Sequence, residues 1–135
     1  MLVPEGFGTL APYFSVRDAS AFVDFLVDGL GGVHLGSHVR DGRIGNAQVR
    51  FGTGATTSTV MICESRNDAE LSALAVYLFV DDAEAALARA VAHGAMQIMA
   101  IADMPYGDRQ GGVADRWGMT WWLSQRLTAE PYSFD

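Results

Sequence analysis

Glu64 closes an apolar run beside Cys63, and a carboxylate in such a place can act as a general base when it is buried. The plainer reading is a strand-end carboxylate in water. Tyr13 and Arg50 could supply acid–base or electrostatic help, and Arg50 or Gln48 could orient a carboxylate or carbonyl. His34 and His38 are four apart and share one face if the segment is a strand, so a metal pair is conceivable. Two histidines at a loop edge, with no supporting carboxylate, are more often surface residues. Cys63 has no neighbouring histidine to make a thiolate, and reads as a buried, inert thiol facing the helices with Met61. Tyr106, Asp108 and Arg109 lie in "PYGDRQGG", which reads as a lid or as a plain turn. In the turn, Asp108 would accept backbone N–H groups and Arg109 would pair with a local carboxylate. No Ser-His-Asp spacing, phosphate-cradling glycine loop or zinc-type cysteine cluster is present.

The elements that must position these residues come in two copies. "YFSVRDA" at 13–19 returns as "YLFVDDA" at 77–83, so Tyr13, Val16, Asp18 and Ala19 match Tyr77, Val80, Asp82 and Ala83 at a constant offset of 64. After the first copy, Phe22, Phe25, Leu26 and Leu30 form one helical stripe, with Asp18 as N-cap and Gly31 and Gly32 as the stop. After the second, Leu87 and Val91 form the stripe, Asp81 or Asp82 caps it, and Gly94 closes it behind His93. Strand-like runs follow at about 33–39, 44–51 and 58–64, then at about 96–101, 110–114 and 119–125. The chain is therefore α+β: two tandem βαβββ modules, at about 8–66 and 72–127, in one domain. Alternation sets Phe14 and Val16 against Tyr13 and Ser15, and Ala47, Val49 and Phe51 against Asn46, Gln48 and Arg50. The apolar sets belong under the helices.

Composition excludes several classes of function. A formal net charge of −7, with no run of Lys or Arg, repels a phosphate backbone and argues against nucleic-acid binding. No window has the unbroken apolar length that spans a membrane, and the start lacks a signal-peptide pattern. One cysteine in 135 residues fits a reducing compartment, so a cytoplasmic location is expected.

"PYFSVRDASAFVDFLVDGLGG", "VYLFVDDAEAALARAVAHGA" and "MPYGDRQGGVADRWGMTWWLS" together resemble the vicinal oxygen chelate superfamily, the glyoxalase/bleomycin resistance/dioxygenase fold. In the third segment Gly107, Asp108, Arg109, Gly111, Val113, Asp115, Gly118 and Trp121 hold the family's ending, while Arg116 and Trp117 replace its Pro and Phe. The resemblance implies a curved mixed sheet around a cavity with helices outside. It also implies metal ligands on the first and last strands of each module. Those positions carry Ala11, Ala75, Ile62 and Trp122 here, none of which coordinates a divalent ion, so no metal or other cofactor is expected. A register slip would bring in only Glu64.

The resemblance further implies that Tyr13, Ser15, Asn46, Gln48, Arg50, Tyr77, Phe79, Thr120, Trp122 and Ser124 face the cavity, with Tyr106 pointing in from its loop. Aromatic faces with a few polar handles suit a small planar or aromatic molecule. Ligand sequestration of the antibiotic-resistance type is the leading expectation, as a homodimer. Metal-free lyase or isomerase chemistry using Glu64, Tyr13 or Arg50 remains open, as do a misregistered metal lyase and a dimer with a collapsed cavity. Trp117 is a candidate for the dimer contact, and "TAEPYSFD" packs over an edge or a partner, or stays loose.

Overall fold

The computed structural model describes residues 1–135, which divide into two compact units, Met1–Ser72 and Ala73–Asp135. In the first unit β1 (Tyr13–Val16), α1 (Ala19–Asp24), β2 (Val33–Arg40), β3 (Arg43–Phe51) and β4 (Ser58–Glu64) follow in order. The second repeats this with β5 (Ala75–Phe79), α2 (Ala83–Ala92), β6 (Met96–Asp103), β7 (Asp108–Ala114) and β8 (Thr120–Arg126). Each unit builds its own four-stranded sheet, in the orders β1-β4-β3-β2 and β5-β8-β7-β6. The first strand runs parallel to the last, and the other pairs are antiparallel. The two-module α+β reading holds, strand by strand.

Local chemistry accounts for the punctuation. Asp41 and Gly42 both take positive φ, 52° and 72°, which makes the tight hairpin between β2 and β3. The turn between β7 and β8 is tied by Asp115, whose carboxylate accepts from the Trp117 and Met119 backbone N–H groups at 2.8 and 3.0 Å and from Trp121 Nε1 at 2.8 Å. Asp82 caps α2 by accepting from the Ala85 N–H at 3.1 Å.

Asp18 stands at the N-cap of α1, where its carbonyl accepts from the Phe22 N–H at 3.1 Å, but it does not cap with its side chain. Its backbone is left-handed, at φ 51° and ψ 57°, and its side chain makes no cap bond. The donor is met from across the sheet, where Glu64 Oε1 accepts from the Ala19 N–H at 3.1 Å. The second unit repeats the device with Gln125 Oε1 and the Ala83 N–H at 3.0 Å. The first helix also widens into a π turn over Phe25–Gly29, with the Leu30 N–H bonded to the Phe25 carbonyl at 3.2 Å.

Each helix covers one face of its sheet. Phe14, Val16, Ala47, Val49 and Ile62 are buried with Phe22 and Leu26, and the Phe14 and Phe22 rings meet edge to face at 5.5 Å. In the second unit Trp121, Leu123 and Val113 are buried with Leu87 and Ala90. Val91, expected in that stripe, is exposed, and Ala90 takes its place.

Candidate functional site

The face of each sheet opposite its helix carries the residues that matter for binding. In the first unit the register Tyr13↔Met61 and Ser15↔Cys63 puts these four on the helix-free face, while Phe14↔Ile62 lies beneath α1. Cys63 and Met61 therefore do not face the helix as the sequence reading placed them. The same register corrects the family alignment. Tyr77 pairs with Trp122 as Tyr13 pairs with Met61, so the last-strand position equivalent to Trp122 is Met61, not Ile62. A thioether is a soft donor and a poor match for a hard divalent ion. No group of three or more His, Cys, Asp or Glu side chains is placed to hold a metal.

Tyr13 and Cys63 line an open groove of about 790 Å³ with His38, Arg40, Arg43, Glu64 and Arg66. Glu64, the candidate base, thus reaches this groove, but one of its oxygens is engaged in holding the start of α1. Asn46 and Gln48 line a neighbouring depression of about 300 Å³ with Leu35, Ser37 and His38. Asn46 Nδ2 lies 3.5 Å from both the Tyr13 hydroxyl and the Met61 sulfur. Arg50, on the same face, lies apart from both groups. It packs against Gly6, whose added Cβ would sit 3.0 Å from its Nη2, and its Nε is buried without a hydrogen-bond partner. His34 is exposed, with Nε2 2.8 Å from Ser37 Oγ.

The second unit holds a connected polar cluster on its helix-free face. Asp108 is fully buried and begins β7, not a loop. Its Oδ1 accepts from Arg126 Nη1 at 2.9 Å, and its Oδ2 accepts from the Tyr77 hydroxyl at 2.9 Å and the Tyr132 hydroxyl at 2.6 Å. Beside it the Tyr106 hydroxyl donates to Gln110 Oε1, and Gln110 Nε2 donates to Ser124 Oγ at 2.8 Å. Gln110 and Ser124 are buried as well. Strand register explains the gathering. Asp108↔Arg126, Gln110↔Ser124 and Tyr77↔Trp122 are cross-strand pairs on one face. Arg109 points the other way in sequence parity and pairs with Asp103 at 2.8 Å, so the local ion pair expected for it is present. Asp108 instead takes side-chain donors in place of backbone N–H groups.

The cluster tunes its own titration. Burial drives the Tyr77 phenol far above its ordinary value, and its bond to the Asp108 carboxylate adds to this. Burial alone would push Asp108 up, but the hydroxyls of Tyr132 and Tyr77 and the Arg126 guanidinium together hold it below the ordinary carboxylate value. Tyr132 is raised, first by its bond to Asp108.

The rings of Tyr77 and Phe79 stay partly open to solvent, with centroids 5.3 Å apart, while the Tyr77 hydroxyl is withdrawn against the buried Asp108. Trp122 lies across Gly112, where an added Cβ would come within 2.5 Å of the indole ring. Gln110, Arg126 and Tyr132 were missed by sequence reading. The two-residue alternation Asp108, Gln110, Gly112 carried the signal, but the strand was read as starting only at about 110, so Asp108 fell in the preceding loop.

Residues 8–123 match the Glyoxalase/Bleomycin resistance protein/Dioxygenase superfamily, and the chain belongs to that family. Among relatives, Uncharacterized protein Rv0887c of Mycobacterium tuberculosis is 32% identical over 124 residues, covering 86% of this chain and 73% of the relative. Among solved structures, TioX from Micromonospora sp. ML1 superposes with a TM-score of 0.71 at 24% identity, covering 89% of this chain and 99% of TioX. TnmS3, an antibiotic binding protein from Streptomyces sp. CB03234, gives a TM-score of 0.63 at 20% identity over 88% of this chain and 97% of its own.

Proposed function

We propose that this chain binds and sequesters a small planar or aromatic molecule on the helix-free faces of its sheets, without a resident metal ion. The observation that carries the reading is the set of large aromatic rings left open there beside polar groups. Tyr13 is 52% exposed, Tyr77 42% and Phe79 57%, each on the first strand of its unit. A soluble fold normally spends such rings on its core. Here the buried alternates, Phe14 and Trp121, already do that. Asn46 and Gln48 on the first sheet then serve as polar handles, with Arg50 farther along the same face against Gly6, and Tyr106 and Trp122 as further ring contacts on the second. TnmS3, an antibiotic binding protein of the same fold, supports a small-molecule ligand. A homodimer is proposed on the same family ground, with sedimentation as its check.

The test is a thermal-shift screen against planar antibiotics and aromatic metabolites, alongside the metal content of the purified protein. A ligand that binds only the folded chain at a hundred times its Kd stabilises it by about 2.7 kcal/mol. A hit with no bound metal is the expected result. A stoichiometric divalent ion, or no shift with any aromatic compound, refutes the proposal.

A further inference from the structure

Tyr132 belongs to no helix or strand, yet its hydroxyl reaches a fully buried carboxylate. Its ring lies 4.1 Å beneath the Arg126 guanidinium and 6.4 Å from the Tyr106 ring. Beyond Tyr132, the tail adds one bond to this seat. Arg126 Nη2 donates to the Glu130 carbonyl at 2.6 Å, and Phe134, two residues on, is 99% exposed. The tail is therefore attached to this face at two points, the phenol of Tyr132 and the backbone carbonyl of Glu130.

Asp108 sorts its partners by how firmly they are held. Arg126 and Tyr77 stand on β8 and β5 and are fixed by ladder pairing. Tyr132 alone comes from the irregular segment that follows β8, whose displacement breaks no sheet bond. A buried carboxylate oxygen, a cation over a ring face and an aromatic wall are what a phenol needs: an acceptor, a cation–π contact and apolar area.

We infer that Tyr132 is a resident occupant of a phenol-binding notch formed by Asp108, Arg126 and Tyr106, and that a planar ligand bearing a phenolic hydroxyl displaces it. The ligand's O–H donates to Asp108 Oδ2 and its ring lies against Arg126. The inference rests on the proposed binding role and narrows its ligand class. The tail then acts as a competitor that rejects weak ligands, because a ligand must exceed the local hold of a phenol that is always at hand. The raised affinity of this seat for a proton on Tyr132 fits a neutral phenol as occupant, not a phenolate.

β-Naphthol and its methyl ether test the inference by calorimetric titration of the wild-type chain of residues 1–135 and of Tyr132→Leu. The expected result is binding of β-naphthol to Tyr132→Leu about tenfold or more tighter than to the wild type, as loss of one charge-assisted bond in the competitor requires. The ether, which has no proton to donate, binds both proteins weakly. In the wild type, saturating β-naphthol moves the amide resonances of the tail after Thr128 to unstructured positions. If Tyr132→Leu does not fold, the naphthol–ether comparison and the tail resonances of the wild type still decide. Equal affinities for naphthol and ether, a tail unmoved at saturation, or no naphthol binding to either protein overturns the inference. A screening hit that binds without moving the tail leaves the general binding role standing and removes the notch.

Discussion

Replacing Asp108 by Asn keeps the shape of the side chain and removes its charge, which isolates what the carboxylate contributes. In the wild type, three donors converge on it: Arg126 Nη1 at 2.9 Å, Tyr77 at 2.9 Å and Tyr132 at 2.6 Å. With Asn, the carbonyl oxygen can keep Arg126, and the amide nitrogen then faces two hydroxyls that must rotate to accept. The two hydroxyl bonds fall from the charge-assisted range of about 1.5–3 kcal/mol to the neutral range of about 0.5–1.5 kcal/mol, about 2.5 kcal/mol together, while the Arg126 bond keeps its charged donor. A neutral amide is cheaper to bury than a carboxylate, which offsets part of the loss. The net expectation is a destabilisation of about 2 kcal/mol, or a midpoint lower by roughly 6–10 °C for a chain of this size. Urea unfolding followed by circular dichroism measures it. The folded carboxyl lies below its ordinary value of 3.8, so its stabilisation is complete above that pH and is lost as pH falls through the folded value. The gap between wild type and Asp108→Asn must therefore close in acid. A variant as stable as wild type at neutral pH, or a gap that persists in acid, refutes the buried, charged cluster.

Tyr77→Phe removes one donor to Asp108 and should destabilise by about 1–2 kcal/mol in thermal unfolding. Two of the four tyrosines, Tyr77 and Tyr132, are held above the ordinary phenol value of 10.0, so their stabilisation is lost as pH rises beyond it. An ultraviolet titration of Tyr77→Phe should show one late-titrating phenol fewer. Gly111→Ala would place a Cβ 2.6 Å from Leu87 Cδ1 and Ile101 Cδ1, and overpacking of that kind costs about 1–3 kcal/mol by calorimetry. Glu64→Gln keeps an oxygen for the Ala19 N–H, as Gln125 does for Ala83, and should leave the melting temperature unchanged. Glu64→Ala loses the cap and about 1 kcal/mol.

Much of this architecture was open to reading because it depends on near neighbours. The repeated heptads, the glycine stops and the alternation of Phe14 with Tyr13 or Trp121 with Trp122 are local patterns, and local patterns specify elements and faces. Parity then correctly placed Tyr13, Asn46, Gln48, Tyr77, Phe79 and Trp122 away from the helices. The alternation in β7 marked a strand only from about 110, so Asp108 looked like a turn residue. Cys63 was assigned to the wrong face because strand phase across β4 depends on its pairing with β1, a partner 48 residues earlier at Ser15.

The amino-acid order by itself determined two copied modules, their two helices and the faces of every strand but β4, since each follows from side chains a few positions apart. Only the tertiary structure decided that Glu64 holds the first helix and that residues 77, 108, 126 and 132 share one carboxylate. Those contacts join segments whose spacing carries no period, and only strand register and the return of the tail bring them within hydrogen-bonding distance.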